Sequence, residues 1–297
     1  MEEKRGTGEC NVQKSFQPHR AGTLFLVATP IGNLEDMTFR AVRILKEVDV
    51  IAAEDTRQTR KLLSHFDIST RLTSYHEHNK KTSGEKLIEK LQYGDSVALV
   101  SDAGLPAISD PGNELVRDAV DNGIPVVPVP GANAALSALI VSGFSTQSFS
   151  FYGFLPRDKK NQSQWLELLK HRDETLIFYE SPHRIVNTLK TIYEQWGNRN
   201  IAVARELTKK YEEVIRGDIH ACLDYLEDNP PRGEYCVVIE GVEDGSRVEK
   251  PWWSELSIEQ HVAHYEQSGI DRKQAIKNTA ADRGIPKREV YQLVHRL

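Results

Sequence analysis

The chain has 297 residues, with 38 Lys+Arg against 43 Asp+Glu, a formal net charge of -5, 39% hydrophobic and 27% charged residues. That is a globular composition, and it excludes both a disordered chain and an overall basic nucleic-acid coat; a polyanion must meet a local basic surface. At roughly 150 residues per domain the length predicts two α/β domains plus a small appendage. The most apolar stretch, residues 124–144, carries Pro125, Pro128, Pro130, Gly131 and Gly143, so it does not read as a membrane-spanning helix. Cys10, Cys222 and Cys236 are odd in number and match neither zinc nor redox spacing, which predicts a reducing, cytoplasmic setting. Residues 1–21 are polar, contain Gly6 and Gly8, and read as a flexible arm outside the fold rather than a signal peptide.

From residue 24 onward short β-rich runs alternate with helical periods. Strands are expected at 24–28, 48–53, 71–75, 96–100 and 124–129, with helices at 38–47, 56–66, 82–93, from Pro111, and at 131–142. This alternation predicts a doubly wound, parallel α/β domain over 22–143. A second α/β domain is expected over 148–242, with strands at 149–153, 175–179, 200–204 and 234–241 and an extra antiparallel strand at 211–216. Residues 242–251 read as a linker, followed by a small helical domain over 252–297 with helices at 257–267, 272–283 and 286–296. Residues 270–297 hold seven Lys+Arg against three Asp+Glu, so the acidic average conceals a basic tail.

In an open α/β sheet, ligands collect beyond the carboxyl ends of the strands, and here those turns are crowded. After the first strand comes Thr29-Pro30-Ile31-Gly32-Asn33, after the second Glu54-Asp55-Thr56-Arg57, and after the fourth the run from Ser101-Asp102-Ala103-Gly104-Leu105 to Asp110-Pro111-Gly112. Each has a plain structural reading: Asp110 caps a helix with Pro111 at its first position, Glu54-Asp55 caps the helix starting at Thr56, and Asp102 belongs to a turn. Three such loops at one sheet edge still favour a ligand site. Gly-x-Gly-x-x-Gly after the first strand and the P-loop motif are both missing, which argues against a dinucleotide or P-loop nucleotide site. His76-Glu77-His78 would put two imidazoles on one strand face, yet no third ligand follows at a recognisable spacing, so no metal is expected. In the second half, Tyr179-Glu180-Ser181-Pro182-His183-Arg184 ends a strand, with Ser181 as helix cap, and Arg205-Glu206-Leu207-Thr208-Lys209-Lys210 is a charged run open to solvent or RNA.

Taken in order, TPIGNLEDMTFRA, AAEDTR, VSDAGLPAISDPG, VPGANAA, GFLPR, FYESPHR, ARELTK and GEYCVVIEG resemble the bacterial small-subunit rRNA ribose methyltransferases of the tetrapyrrole-methylase-like superfamily. The resemblance covers residues 22–242 and extends to the helical tail. It implies two α/β domains holding S-adenosylmethionine in the cleft between them, a homodimer, and methylation of a cytidine ribose 2′-hydroxyl in the decoding region of 16S rRNA within the small ribosomal subunit. It also implies cofactor contacts at Pro30, Asp102, Ala103, Gly104, Leu105, Asn133, Ala134, Tyr179, Ala204 and Glu234. Leu105 stands where the family often has Thr, a departure that a backbone contact tolerates.

A 2′-hydroxyl is a weak acid and needs a base within hydrogen-bond reach; Glu54, Asp55 and His76 are the candidates. RNA contacts are expected at Arg57, Arg60 and Lys61, at His76, His78 and Lys80, and at Arg157, Lys159 and Lys160, with Lys287 and Arg288 of the tail as a further grip. The competing readings are a tetrapyrrole or protein-side-chain methyltransferase of the same fold, and a non-catalytic module that binds S-adenosylmethionine or RNA.

Overall fold

A computed structural model describes residues 12–15, 17, 19–242, 252–254 and 256–295. The chain divides into the units Met1–Gly241 and Val242–Leu297. The first sheet of the larger unit consists of β1 (Leu24–Val27), β2 (Val50–Ala53), β3 (Arg71–Ser74), β4 (Val97–Val100) and β5 (Val126–Val129), all parallel, in the order β3-β2-β4-β1-β5. Strands β2 and β4 are buried along their whole length because helices cover both faces. The helices α1 (Phe39–Glu47) and α2 (Thr56–His65) seal one face with Ala41, Ile44, Leu45 and Leu63. The other face is sealed by α3 (Lys80–Gln92) and α4 (Asn113–Asp121) through Leu87, Leu91, Leu115 and Ala119. The chain reverses its direction of travel across the sheet between β1 and β4, and the loops after these two strands therefore diverge around a crevice.

The second sheet is mixed: β6 (Phe149–Phe154), β7 (Thr175–Glu180), β10 (Tyr235–Ile239), β8 (Asn200–Arg205) and β9 (Glu213–Asp218) in that spatial order, with only β6 and β7 parallel. The expected extra antiparallel strand is β9, two residues later than read. Helix α5 (Ala134–Ser142) follows β5 but packs Ala135, Ala138 and Leu139 against Ile177, Ala202, Ala204 and Val238 of the second sheet. It thus carries the chain from one sheet to the other. Three helices, α6 (Lys159–Leu169), α7 (Ile185–Trp196) and α8 (Ile219–Asp228), cover the opposite face. In the smaller unit α9 (Ile258–Gln267), α10 (Arg272–Arg283) and α11 (Lys287–His295) enclose Val262, Ala275, Ile276 and Val290, and Ser257 with Gln260 forms a capping box on α9.

Several local expectations give way. The helix expected from Pro111 starts at Asn113 with Gly112, at φ 149°, in the cap position, so Asp110 is not a cap. The helix expected from Gly131 starts at Ala134, capped by the Asn133 side chain on the Leu136 amide. Ser181 and Pro182 enter a turn instead of a helix, and α7 begins at Ile185. His76 and His78 lie beyond the end of β3 at a turn, not on an extended strand. Part of the arm is tied down, because the Gln13 carboxamide donates to the Val126 carbonyl and accepts from its amide. Residues 1–11, most of the linker and Arg296 lie outside the described residues.

Candidate active site

The loops after β1 and β4 are stitched together before they diverge. Thr29 and Gly104 exchange two backbone hydrogen bonds, at 2.9 and 3.0 Å, and the Thr29 hydroxyl donates to the Ser101 carbonyl at 3.1 Å. Gly131 supports the same edge, since a Cβ there would stand 2.8 Å from that of Ala28. Beyond the bridge the second loop is contorted: Ala107 and Ser109 take φ of 67° and 61°, conformations that L-residues adopt at a cost and that cluster at functional sites. This contortion turns Asp110 toward the cleft between the two sheets.

The cleft has a volume of about 420 Å³ and an apolar lining that includes Ile31, Leu105, Ile108, Ala134, Phe154 and Leu207. Of the expected cofactor contacts, Asp102, Ala103, Gly104, Leu105, Asn133, Ala134, Tyr179, Ala204 and Glu234 all line it; at the first loop it is Ile31, not Pro30, that does so. Asp110, Glu206, Lys209 and Cys236 line it as well and had no part in the sequence reading of the cofactor site. Tyr179 forms part of the wall, edge-on to Phe151 and Phe154, and burial pushes its hydroxyl up to about 12. Glu180 is sunk beneath it, accepting from Thr188 Oγ1 at 2.7 Å and from the Ser181 amide at 2.8 Å. Arg184 donates to the Leu155 and Pro156 carbonyls at 3.0 Å, so both charged residues of that turn hold the wall in place.

The proton-accepting candidates separate by environment. Asp55 caps α2 through the Arg57 amide and pairs with the Arg57 guanidinium at 2.9 Å. Those hydrogen bonds, side chain first and backbone second, pull its carboxyl down to about 2. Glu54 is different: burial first, then the nearby Asp102 charge, pushes its carboxyl up, while His76 pulls the other way. Asp110 is pushed further, to about 6, by burial and then by Glu54 and Asp102, against a hydrogen bond from Ser101. Among the described residues no Lys or Arg pairs with Glu54, Asp102 or Asp110. Asp102 instead accepts the Asp55 amide at 3.1 Å, which ties the start of α2 to the cleft. His76 stands by Glu54 with its Nδ1 buried and without a hydrogen-bond partner.

The charged run after β8 behaves otherwise. Glu206 and Thr208 take φ of 50° and 67°, and Lys209 reaches Glu206 at 2.9 Å and Glu234 at 2.8 Å. Burial raises the Glu206 carboxyl, yet the hydrogen bonds from Lys209 and the Glu234 amide together with the Lys209 and Arg205 charges outweigh it, and the net shift is downward. The expected RNA contacts Arg57, Arg60, Lys61, Arg157, Lys159 and Lys160 are all exposed; Arg57, Arg60 and Lys61 lie on α2, and the other three at the start of α6. Among the described residues no group of three His, Cys, Asp or Glu side chains is placed to hold a metal ion, and no helix is long and apolar enough to cross a membrane.

Two α/β lobes with a cleft at the strand ends of the first define a class, and residues 23–222 match the tetrapyrrole (corrin/porphyrin) methylases. Among solved structures, the uroporphyrin-III C-methyl transferase from Thermus thermophilus complexed with S-adenyl homocysteine superposes with a TM-score of 0.52 at 17% identity, covering 74% of this chain and 97% of that one. A diphthine synthase superposes at 0.57 with 12% identity, covering 74% and 90%. At such identities these two speak for the fold alone. Curated relatives come nearer. The chain is 56% identical to the ribosomal RNA small subunit methyltransferase I of Halalkalibacterium halodurans, over 95% of this chain and 98% of the relative. It is 58% identical to the protein of that name from Bacillus subtilis, over 92% and 94%. The chain belongs to the tetrapyrrole (corrin/porphyrin) methylase family and, within it, to the ribosomal RNA small subunit methyltransferase I group.

Proposed function

We propose that the protein transfers a methyl group from S-adenosylmethionine to the ribose 2′-hydroxyl of a cytidine in the decoding region of 16S rRNA. In this reading it works on the small ribosomal subunit, as a homodimer, in the cytoplasm. The observation that carries the reading is a mostly apolar cleft lined by Asp102 and Asp110, with Glu54 close to both, three carboxylates that lack a Lys or Arg partner among the described residues. When bound, S-adenosylmethionine supplies a methyl group on a cationic sulfonium, the charge such a cleft complements. Leu105, Ile108 and Ala134 offer apolar surface to a flat ring, and Asp102 and Glu234 offer acceptors to hydroxyl or amino groups. Tyr179 and Cys236, whose hydroxyl and thiol burial pushes up, line the wall without adding charge.

Transfer to a ribose oxygen requires the hydroxyl proton to leave as the new C–O bond forms. We assign its acceptance to Glu54, whose proton affinity is raised by burial and by Asp102, with Asp110 beside it as a second carboxyl. Asp55, held near 2, is a poor acceptor and serves instead to place Arg57. His76 is close enough to Glu54 to counter part of that rise.

The high identity to rRNA methyltransferases over nearly the whole chain favours RNA over a tetrapyrrole as the acceptor. Exposed Leu136, Ile140 and Val141 on α5 form the kind of apolar surface that a second copy covers. Incubation with methyl-labelled S-adenosylmethionine and, separately, small subunits, free 16S rRNA and tetrapyrrole precursors tests the reading. Label is expected on a single cytidine ribose; label on a tetrapyrrole or on a base carbon contradicts it.

A further inference from the structure

The two faces of the first sheet differ in charge. On one face α1 and α2 present Arg40, Arg43, Lys46, Arg57, Arg60 and Lys61 against a single acidic residue, Glu47. On the other, α3 and α4 carry five basic and five acidic residues. A chain of net charge -5 therefore concentrates an excess of positive charge on one helical layer. Arg43 spends its charge on Glu47 and Arg57 on Asp55, whereas Arg40 and Lys46 have no ion-pair partner among the described residues.

At the head of this layer stands Phe39, the first residue of α1, 99% exposed. A fully solvated Phe at a helix start makes no contribution to the core, and Thr38 already caps the helix through the Ala41 amide. Phe39 borders a shallow apolar hollow completed by Met37, Val42 and Phe66, with Lys46 and the Arg43–Glu47 ion pair on its rim. Phe66, the residue that ends α2, lines the hollow together with α1, so the two helices meet there above a shared core. That surface meets the active site, since α1 follows the loop that sends Ile31 into the cleft, and the cap residue of α2 donates its amide to Asp102.

We propose that the α1–α2 face is the docking surface for single-stranded substrate RNA, with an unpaired base stacked on Phe39 over the hollow and flanking phosphates on Arg40 and Lys46. An aromatic face next to unpaired cations is the combination that binds single strands, because stacking accepts any base while the cations follow the backbone. The neutral α3–α4 face offers no such attraction. The inference rests on the proposed RNA substrate and adds where that RNA lies: it enters over the start of α1 and α2 and brings its target ribose to the Glu54 side of the cleft.

Equilibrium binding of 16S rRNA to the full chain tests it, with S-adenosylmethionine affinity measured in parallel. Phe39→Ala is expected to weaken RNA binding about tenfold without altering its salt dependence, Phe39→Trp to restore it, and neither to change S-adenosylmethionine affinity. The double variant Arg40→Ala/Lys46→Ala is expected to lower the slope of log affinity against log salt by about 1.5, two contacts at about 0.7–0.9 each. Wild-type affinity in both Phe39→Ala and the double variant overturns the inference alone. So does a Phe39→Ala protein that loses its dimeric mass, which would give the face to a second copy. Failure of the wild-type protein to bind either free 16S rRNA or small ribosomal subunits overturns the substrate reading and this inference together.

Discussion

Two acidic groupings stand at one cleft and are treated in opposite ways. Glu206 and Glu234 share the Lys209 ammonium at 2.9 and 2.8 Å, and Glu206 is held below the ordinary carboxylate range. Glu54, Asp102 and Asp110 have no Lys or Arg partner among the described residues, and Glu54 and Asp110 are pushed above it. A compensated group fastens a strained turn, here the positive-φ residues Glu206 and Thr208. An uncompensated one is costly to keep, and fold stability alone gives no reason to gather three carboxyls, two of them half-buried, at one edge. Such a cost is tolerated where a ligand supplies the missing charge or a proton must be taken up.

The largest expected effect breaks the uncompensated group. Glu54→Gln keeps the shape but removes the acceptor, and single-turnover methyl transfer should fall by about 10²–10⁴-fold, the usual worth of a positioned base. S-adenosylmethionine affinity, read by calorimetry, should change little. Lys209→Ala breaks the compensated group and should act on stability first. The partly buried Glu206 carboxylate loses its partner, at a cost of about 1–2 kcal/mol read by denaturant unfolding, with the pH dependence of the chemical step unaltered. The smallest change is expected from Asp55→Ala. It removes the cap of α2 and frees Arg57, so the thermal midpoint should fall by a few degrees while the chemical step keeps its rate and pH profile. A collapse of turnover in this variant would return the base to Asp55.

Much of this was legible before the structure, for a physical reason. Parallel strands covered on both faces read as unbroken apolar runs, and VIAA and VALV are such runs in β2 and β4. The Pro- and Gly-rich turns after β1 and β4 marked the cleft edge, and nine of the ten expected cofactor contacts line the cleft. Asp110 was lost because Asp followed by Pro before a helix is a sound capping signature. Here Gly112 takes the cap position, while Ala107 and Ser109 adopt positive φ and turn Asp110 inward. No pattern announces such φ values for Ala or Ser. The Lys209 cluster was hidden for another reason: it joins residues 25 apart across β8 and β10, and only the pairing of those strands brings them together. Phe39 was legible as a residue but not as an exposed one, since an apolar residue at the first turn of an amphipathic helix looks the same whether it faces the core or water.

The central claim, that mutually repelling carboxyls accept the ribose proton, is tested most directly by the pH dependence of single-turnover methyl transfer in the wild type and in Asp110→Asn. An acceptor must be ionised, so the rate should rise with pH through a limb set by the Glu54–Asp110 pair, with Asp110 itself near 6. Asp110→Asn takes the carboxyl that burial, Glu54 and Asp102 hold near 6 out of the pair, leaving Glu54 with burial and Asp102 as the causes of its raised proton affinity, and should move the limb to lower pH. A limb that stays where it is in Asp110→Asn, or a wild-type rate flat between pH 5 and pH 7, contradicts the account.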